Sequence, residues 1–538
     1  MSSEDQANLT QGAIALLASF SPSPTRSPID YVPMEVLESI LLYTFDDTPL
    51  ILPPSRAKSR FPLGRPLLAL ELSWVCRRWN AITLANARFW TPPIIEIVLE
   101  DYEYRDPMDL DEEDGPELQA RKSEKFRLVA KTVAILQCYL ARSGPAALPC
   151  IEFECYMVGE SEWEDSIGHI LRCIAPTLSR WQRCTIPVCL ANNLAELACG
   201  AEPLLLERAK VAHSYGPYTQ HDAFAHAPRL RHWEGSVLRV TLPWSQLTCM
   251  YIDVFTPISD ILKILPYCQQ VVEVDMFACE DAPGVQPISS QAALLRLESM
   301  SACVSSCQVL RRIFSSITAP NLQRLALAGA SGAETALSLG EAGLGLTIRR
   351  WPMVTFETML TCSQCVLKSF LLQSIMMPRG DVRAIIERLP CLSDFGIREP
   401  WRKLNEANHR PTHVSAIGNT VLRLMTAEGG NAPNLLPELR TLEIEGVVRI
   451  DYALLINMLR SRTNPKLEHV HLCLYPDSWD INDATAAELE DIMGEKSYRY
   501  SADAFLLSPW SGWKERRYFV FYTRSVLVIS RTSPDQKK

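Results

Sequence analysis

The chain has 538 residues, more than one hydrophobic core normally supports, so we expect several domains or a repeat array. Its formal net charge is −9, and residues 100–117, with ten acids and one arginine, carry all of it. The near-neutral remainder argues against nucleic-acid binding, and no apolar run is long enough to span a membrane. The 17 cysteines show no framework spacing and no secretory signal is recognisable, so we expect reduced thiols and an intracellular protein, in the cytoplasm, the nucleus or both.

Two short amphipathic helices are predicted after residues 1–28, which end in Ser-Pro repeats and are expected to be disordered. Pro33 suits a first helical turn. The apolar residues that follow it at helical spacing are Val36, Leu37, Ile40 and Leu41. A second apolar stripe, before the pair Phe89-Trp90, consists of Leu72, Val75, Cys76 and Trp79. Helices this short need other helices or a partner, so they form either a docking module or a hairpin inside a larger core.

The two stripes and the Phe89-Trp90 pair resemble an F-box, the helical module that docks proteins onto the Skp-type adaptor of cullin-RING ubiquitin ligases. The resemblance covers residues 29–95 and implies that the chain binds this adaptor, and through it a cullin, while other subunits perform the catalysis. The adaptor-binding residues that it implies are Val32, Pro33, Val36, Leu37, Ile40, Leu41, Val75, Cys76 and Trp79. The sequence departs from the family at Val32, where a leucine is usual, and at residues 46–69, a predicted inserted loop with five prolines.

A linker and a long helix are predicted next. Residues 96–117 are strongly acidic, which is typical of a solvated spacer. Residues 118–142 have apolar residues on one side, and Ser143-Gly144-Pro145 is a helix stop.

The rest of the chain contains a repeat of the form P-x-L-x-x-φ-x-φ, where φ is an apolar residue. Complete copies begin at Pro320, Pro390, Pro437 and Pro465. With the partial copies included, the first apolar positions are residues 230, 247, 271, 297, 322, 367, 392, 439 and 467. Six of the eight gaps are 17–28 residues and the other two, 45 and 47, are nearly double. A period near 25 is typical of leucine-rich repeats.

Each copy predicts a short strand with one buried face, and the segments between copies predict helical crossovers, which parallel strands need. We therefore expect an α/β fold in which residues 118–530 form an irregular leucine-rich-repeat-like solenoid and residues 531–538 a disordered tail. The alternative is a generic α/β domain, because the usual asparagine or cysteine ladder is missing. The doubled gaps leave open whether the array is one horseshoe or two pieces. An F-box followed by such repeats is similar to a large group of fungal, basidiomycete-type F-box proteins.

The outward residues of the strands are the candidate target-binding positions. They alternate with the buried apolar residues and would line a concave surface. In the four best copies they are Arg324 and Ala326, Asp394 and Gly396, Thr441 and Glu443, His469 and His471. We expect a target protein to bind through Arg324, Asp394, Glu443 and His471. The competing site is the acidic run, whose long-range field attracts basic proteins.

No motif predicts an enzyme, a cofactor or a metal. Cys362 and Cys365 form the one C-x-x-C but lack a second ligand pair. His213, His221 and His226 have no accompanying nucleophile signature and are read as surface residues. Three functions remain: a substrate receptor of a cullin-RING ligase, a repeat scaffold that acts without a ligase, and an enzyme on an α/β scaffold. The third needs a pocket of convergent titratable groups, which nothing in the sequence predicts.

Overall fold

The computed structural model describes residues 31–45, 49–52, 68–99, 116–155, 162–198, 200–212, 222–282, 291–329, 346–348, 350–398, 417–427, 433, 435–447, 450–462, 467–475, 488–489, 492, 499–500 and 527–531. The segment 1–28 and residues 532–538, both predicted to be disordered, lie outside these ranges. The described chain is α/β and divides into two units. Unit 1 comprises Met1–Leu230 and Thr241–Pro243, and unit 2 comprises Arg231–Val240 and Trp244–Lys538.

Unit 1 alternates helices with short strands. Its helices are α1 (Met34–Phe45), α2 (Leu68–Val75), α3 (Arg77–Ala85), α4 (Pro116–Ser143), α5 (Glu162–Ile174) and α6 (Val188–Leu197), with 3₁₀ turns at Ala87–Trp90 and Ala175–Arg180. Its strands are β1 (Leu50–Leu52), β2 (Ile95–Leu99), β3 (Ile151–Cys155), β4 (Arg183–Pro187) and β5 (Arg208–Ala212). Consecutive strands pair in parallel, so each connection between them is a crossover.

Two predicted boundaries of unit 1 are corrected by its first strands. Residues 46–69 were expected to be a loop, but Leu50–Leu52 is a buried strand paired with β2. Residues 96–117 were expected to be a linker, but Ile95–Leu99 is β2 and α4 begins at Pro116. The proline-rich and acidic residues around these two segments are typical of loops, so the sequence did not predict strands there, although their apolar residues pair across the sheet. Parallel strands therefore begin inside the segment that resembles an F-box.

Phe89 and Trp90 hold the short helices of unit 1 to the long one. Both side chains are fully buried, and Trp90 Nε1 donates a hydrogen bond to the Thr83 carbonyl at 2.7 Å. The Trp90 ring lies 5.2 Å from the ring of Tyr139 on α4, and the Arg142 guanidinium stacks 4.2 Å above it. Edge-to-face and cation–π contacts of this kind fix relative orientation as well as burying apolar area. The aromatic pair is therefore part of the core of unit 1.

Unit 2 continues the alternation of strands and helices. Its main strands are β6 (His232–Gly235), β7 (Cys249–Pro257), β8 (Glu273–Cys279), β10 (Ser299–Val304), β12 (Arg324–Gly329), β14 (Ser369–Gln373), β16 (Asp394–Arg398), β17 (Thr441–Val447), β18 (His469–Tyr475), β19 (Arg499–Tyr500) and β20 (Leu527–Arg531). Short strand pairs are formed by β9 (Ala292–Ala293) with β11 (Ile317–Thr318) and by β13 (Leu346–Thr347) with β15 (Ile375–Met376). Its helices are α7 (Ile258–Ile264), α8 (Cys307–Ser316), α9 (Met353–Ser363), α10 (Arg379–Glu387), α11 (Asn419–Met425) and α12 (Tyr452–Ser461). The main sheet is parallel from β6 to β18, and β20 joins it antiparallel.

The predicted repeat is confirmed as a repeated turn and strand. Each of its nine first apolar positions lies two residues before a strand of unit 2, and none is more than 5% exposed. The carbonyl that precedes each of these strands except β18 accepts hydrogen bonds from two successive amides of the next repeat. Thr248 O, for example, accepts from Val272 N at 2.8 Å and Glu273 N at 3.1 Å. Leu206 occupies the same position before β5 of unit 1, where the sequence pattern did not reveal it.

The doubled gaps are insertions within crossovers and do not break the sheet of unit 2. Across the first gap, Leu325 pairs with Phe370, and across the second, Phe395 pairs with Leu442, each in unbroken register. Of the two arrangements left open by the sequence, the structure has the continuous one within this unit.

The core of unit 2 lies between its sheet and its helices. Right-handed crossovers between parallel strands that follow one another in a single direction place every helix on the same side. The second and fourth residues of the strands face this side and are buried, as in the alternating pattern of β8. On this side the rings of Phe314, Trp351, Phe356 and Phe370 pack with centroids 5.2–6.1 Å apart. The first and third residues of each strand face away from the helices.

Candidate functional site

Helix α1 has two apolar faces, only one of which is available to a partner. Val32, Leu37 and Leu41 are 6%, 2% and 3% exposed and belong to the core of unit 1. The prediction that these three bind an adaptor directly is therefore corrected, because a buried side chain supports the helix and presents no surface. Val36 and Ile40, by contrast, are 43% and 37% exposed. Each exposed residue is followed directly by a buried one, so the helical periodicity of the sequence predicted a single apolar stripe where the structure has two faces.

A kink between α2 and α3 exposes the next predicted residues. The Cys76 backbone is extended (φ −159°, ψ 168°), so the expected continuous second stripe is interrupted there. Asn80 Nδ2 donates to the Ser73 carbonyl at 2.9 Å and bridges the kink. Val75 and Cys76 are exposed, and Trp79 is half-buried with an indole N–H that has no partner among the described residues.

Contacts from α3 connect this kink to α1. Arg78 Nε lies 3.1 Å from the Met34 Sδ atom, and Arg78 also donates to the Val32 carbonyl. Asn86, just after α3, donates to the Glu38 carboxylate of α1. We call the exposed apolar side chains of α1 and of the α2–α3 junction the apolar helical surface: Pro33, Met34, Val36, Ile40, Tyr43, Trp74, Val75 and Cys76. Trp74, at 74% exposed, and Tyr43 were not anticipated from the sequence. Exposed apolar residues concentrated in this way are typical of interaction sites.

Unit 2 contains the second candidate surface. We call the first and third residues of strands β6, β7, β8, β10, β12, β14, β16, β17 and β18 the sheet face. All four predicted target-binding residues lie on it, in two rows of the sheet register. Arg324 and Asp394 share the first row with Ser369 between them, and Glu443 pairs directly with His471 in the second.

The four residues differ in how accessible they are. Arg324 is exposed and Asp394 half-buried, but Glu443 is only 9% exposed. Glu443 Oε1 accepts a hydrogen bond from Arg398 Nε at 2.6 Å, and Glu445 Oε2 lies 4.0 Å from the same nitrogen. Burial raises the pKa of Glu445 and lowers the pKa of His471. Glu443 is therefore already held in an ion pair, which corrects its expected role as an outward target contact.

Gly396 is required by its neighbour on the sheet face. A Cβ atom at this position would lie 2.5 Å from Leu371 Cδ1 and 3.5 Å from Glu443 Oε2. Leu371 thus leans over the glycine toward the ion pair, and is itself only 6% exposed. This part of the sheet face is filled by the protein's own side chains.

The opposite end of the sheet face carries acids that the sequence reading did not select. Glu234 and Asp275 stand in one row, on either side of Tyr251, and Glu273 precedes Asp275 by two residues. The signal was present, because Glu234 and Asp275 have the same offset from Leu230 and Val271 as Glu443 has from Leu439. Among its first and third residues the sheet face has five carboxylates and one arginine, a formal net charge of −4.

Asp275 has the most perturbed environment of these acids. Its carboxylate accepts hydrogen bonds from the Ser301 side chain and the Met276 amide, but the buried Oδ1 atom has no partner. Burial raises the pKa of Asp275 to about 6, and the charges of Glu273 and Glu234 add to the increase. Neither Asp275 nor Glu273 forms an ion pair in the part of the chain that the structure describes.

The remaining candidates form no site. Cys362 is exposed and Cys365 half-buried at the end of α9, and the described residues contain no group of His, Cys, Asp and Glu side chains that could hold a metal ion. His226 is exposed, while His213 and His221 lie outside the described residues, as does most of the acidic run. None of the described helices is both long and apolar enough to cross a bilayer. No protein-family model matches this sequence and no curated protein is similar to it, so the two surfaces are interpreted from their chemistry.

Proposed function

We propose that this protein is a substrate receptor of a cullin-RING ubiquitin ligase. The apolar helical surface of unit 1 binds the Skp-type adaptor, and the sheet face of unit 2 binds a target protein. The chain itself performs no chemistry. It accelerates ubiquitin transfer by holding a target lysine near the charged enzyme, which replaces a bimolecular encounter by a positioned one.

The observation that carries the proposal is the apolar helical surface. Val36, Ile40 and Tyr43 follow one another along the outer side of α1, and Trp74 and Val75 protrude at the α2–α3 junction. Exposed tryptophan and tyrosine are the residue types that most often dominate binding energy at protein interfaces. Leaving them in water gives no stability to the monomer, so a partner that covers them explains their position.

The alternative is a scaffold that binds partners through its strands without any ligase. It uses the same sheet face but has no need of the apolar helical surface. Binding of the adaptor to residues of α1 therefore separates the two functions.

The test uses the purified full chain and a purified Skp-type adaptor in a calorimetric titration. The variant Val36→Glu with Ile40→Glu places two charges on the exposed side of α1 and should weaken binding at least about a hundredfold, because unpaired charges would be buried at the interface. Both side chains point to solvent in the free protein, so the variant should unfold at the same temperature as wild type.

The matched control makes the same chemical change on unit 2. Leu295 and Val354 are 61% and 77% exposed, and Leu295→Glu with Val354→Glu should leave adaptor affinity unchanged. Trp74→Ala should also weaken binding, although Trp74 was not among the adaptor-binding residues predicted from the sequence. Wild-type affinity in the α1 variant would refute the receptor function and favour the scaffold.

A further inference from the structure

Two cysteines lie in adjacent turns of unit 2, at the edge of the sheet where strands β14 and β16 begin. Cys365 is two residues before the first apolar position of its repeat, Leu367, and Cys391 is one residue before that of the next repeat, Leu392. Among the nine repeats, these two are the one neighbouring pair with cysteine at both positions, and proline occupies the position of Cys365 in five of the others. Both cysteines are free thiols.

The pairing of the two strands brings these positions close together. Ser369 and Asp394, four and three residues after the cysteines, are partners in the parallel register of β14 and β16. The Lys368 carbonyl accepts hydrogen bonds from two successive amides of the next repeat at 2.8 and 2.9 Å, so the pairing continues back toward the turns. Neighbouring strands lie about 4.8 Å apart and residues along a strand about 3.3 Å, so a one-residue offset places the Cα atoms of Cys365 and Cys391 about 6 Å apart. Disulfides join residues whose Cα atoms are about 4.4–6.8 Å apart.

An equivalent pair of turns shows that a side chain at the position of Cys391 reaches the position of Cys365. Asn321 and Leu295 hold these two positions in the turns before β12 and β10. Asn321 Nδ2 donates a hydrogen bond to the Leu295 carbonyl at 2.7 Å. Strands β10 and β12 pair in the same register as β14 and β16. The side chain of Cys391 is therefore placed to reach the turn that contains Cys365.

The two thiols differ in accessibility, which sets the order in which they react. Cys391 is exposed and Cys365 is half-buried. Burial raises the pKa of the Cys365 thiol, so less of it is thiolate at neutral pH. An oxidant from solution therefore meets Cys391 first, and Cys365 is the resolving thiol beside it. Accessible cysteines next to a resolving partner are typical of redox sensors.

We propose that Cys365 and Cys391 form a reversible disulfide when the protein meets a peroxide. The Cys391 thiolate attacks one oxygen of hydrogen peroxide, the O–O bond breaks, and the leaving hydroxide takes up a proton to become water. The Cys365 thiolate then attacks the sulfur of the resulting sulfenic acid, the S–O bond breaks, and a second water leaves. In balance, two thiols lose two electrons and two protons, and the peroxide is reduced to two waters. Exchange with two molecules of a small thiol such as glutathione restores both cysteines.

The disulfide would close the crossover that contains α10. Residues 366–390, which lie between the two cysteines, become a closed loop, so the unfolded chain loses entropy and the folded state is stabilised relative to it. The bond forms only under oxidation, which agrees with the free thiols of the structure. Neither its formation nor its test depends on the proposed function.

The test oxidises the purified full chain with hydrogen peroxide, alkylates the remaining thiols and digests the protein with trypsin without reduction. Mass spectrometry should find peptide 351–368 joined to peptide 389–398, and dithiothreitol should separate them. Cys391→Ser and Cys365→Ser should each abolish the joined pair. Cys362→Ser is the matched control, because it removes the other cysteine of the same peptide and should keep the joined pair.

Thermal unfolding gives a second measurement on the same samples. Oxidation should raise the unfolding temperature of wild type and of Cys362→Ser by at least about 2 °C, and should not raise that of Cys391→Ser. Because Cys391 is exposed, Cys391→Ser should unfold at the wild-type temperature when both proteins are reduced. Three results would each overturn the proposal: no joined pair in oxidised wild type, a disulfide between Cys362 and Cys365 within one peptide, or a joined pair that persists in Cys365→Ser.

Discussion

Two polar side chains of unit 2, the buried Arg462 and the half-buried Asp275, show opposite behaviour at the scale of the residue. Arg462 is 4% exposed, yet its guanidinium donates to the carbonyls of Met425, Leu435 and Leu436 at 2.5–2.8 Å. Asp275 keeps a buried oxygen without a donor. The hydrogen-bonded guanidinium of Arg462 has a structural role, because it fixes the end of α11 and the turn before β17. A buried oxygen without a hydrogen-bond donor lowers stability, so its presence calls for another explanation.

The cost of Asp275 can be measured through its pH dependence. Below about pH 3 the carboxyl group is protonated in both the folded and the unfolded chain, and ionisation costs nothing. Between about pH 3 and 6 the unfolded chain ionises first, since burial raises the folded pKa to about 6, so the free energy of unfolding falls as pH rises. The shift from 3.8 to about 6 corresponds to at most about 3 kcal/mol.

Asp275→Asn should therefore be more stable than wild type by about 1–2 kcal/mol near pH 8 and equal to it within about 0.5 kcal/mol near pH 3. The amide gains less than the full cost because its own N–H₂ group is also buried. Urea unfolding at both pH values checks this. Asp260→Asn is the control, since this partly exposed acid is paired with Lys263 at 2.6 Å and its replacement should not stabilise the protein at pH 8. A less stable Asp275→Asn at pH 8 would contradict the interpretation.

Helix α9 of unit 2 is attached through its buried side chains, among which Phe356 reaches the sheet. Phe356 of α9 is fully buried, with its ring centroid 5.2 Å from Phe314, 5.8 Å from Trp351 and 6.1 Å from Phe370. Two residues earlier, Val354 is 77% exposed on the other side of the same helix. At the scale of the element, the contribution of an apolar residue of α9 to packing depends on whether it lies on the buried or the exposed face of the helix.

Phe356→Ala should lower the free energy of unfolding by about 3–5 kcal/mol, because it removes buried apolar area and leaves a cavity among three aromatic rings. Val354→Ala on the same helix should change it by less than about 0.5 kcal/mol. Chemical denaturation followed by tryptophan fluorescence compares them, since Trp351 is in the affected cluster. Equal effects of the two substitutions would show that α9 is not packed on this face.

At the scale of the whole molecule, the two candidate surfaces belong to different units. The apolar helical surface is built by α1, α2 and α3 of unit 1, and the sheet face by the strands of unit 2. Each surface rests on side chains buried within its own unit, such as Leu37 for α1 and Met276 for β8. The two binding activities should therefore be separable.

The sequence determined the local and repetitive part of this protein. Alternating apolar residues and the turn before them located nine strands of unit 2, because a strand with one buried face needs that pattern wherever it lies. Helical spacing likewise predicted α1 and α4. Tertiary structure decided which apolar face of α1 is buried, since Val36 and Leu37 are chemically alike and only packing distinguishes them. It also made Leu50–Leu52 and Ile95–Leu99 strands, because strands of three and five residues are stable only when neighbours pair with them. Charge on the sheet face was decided in the same way. Glu443 and Asp275 occupy equivalent positions, but Arg398 on the neighbouring strand pairs with Glu443, whereas no cation within the described ranges forms an ion pair with Asp275.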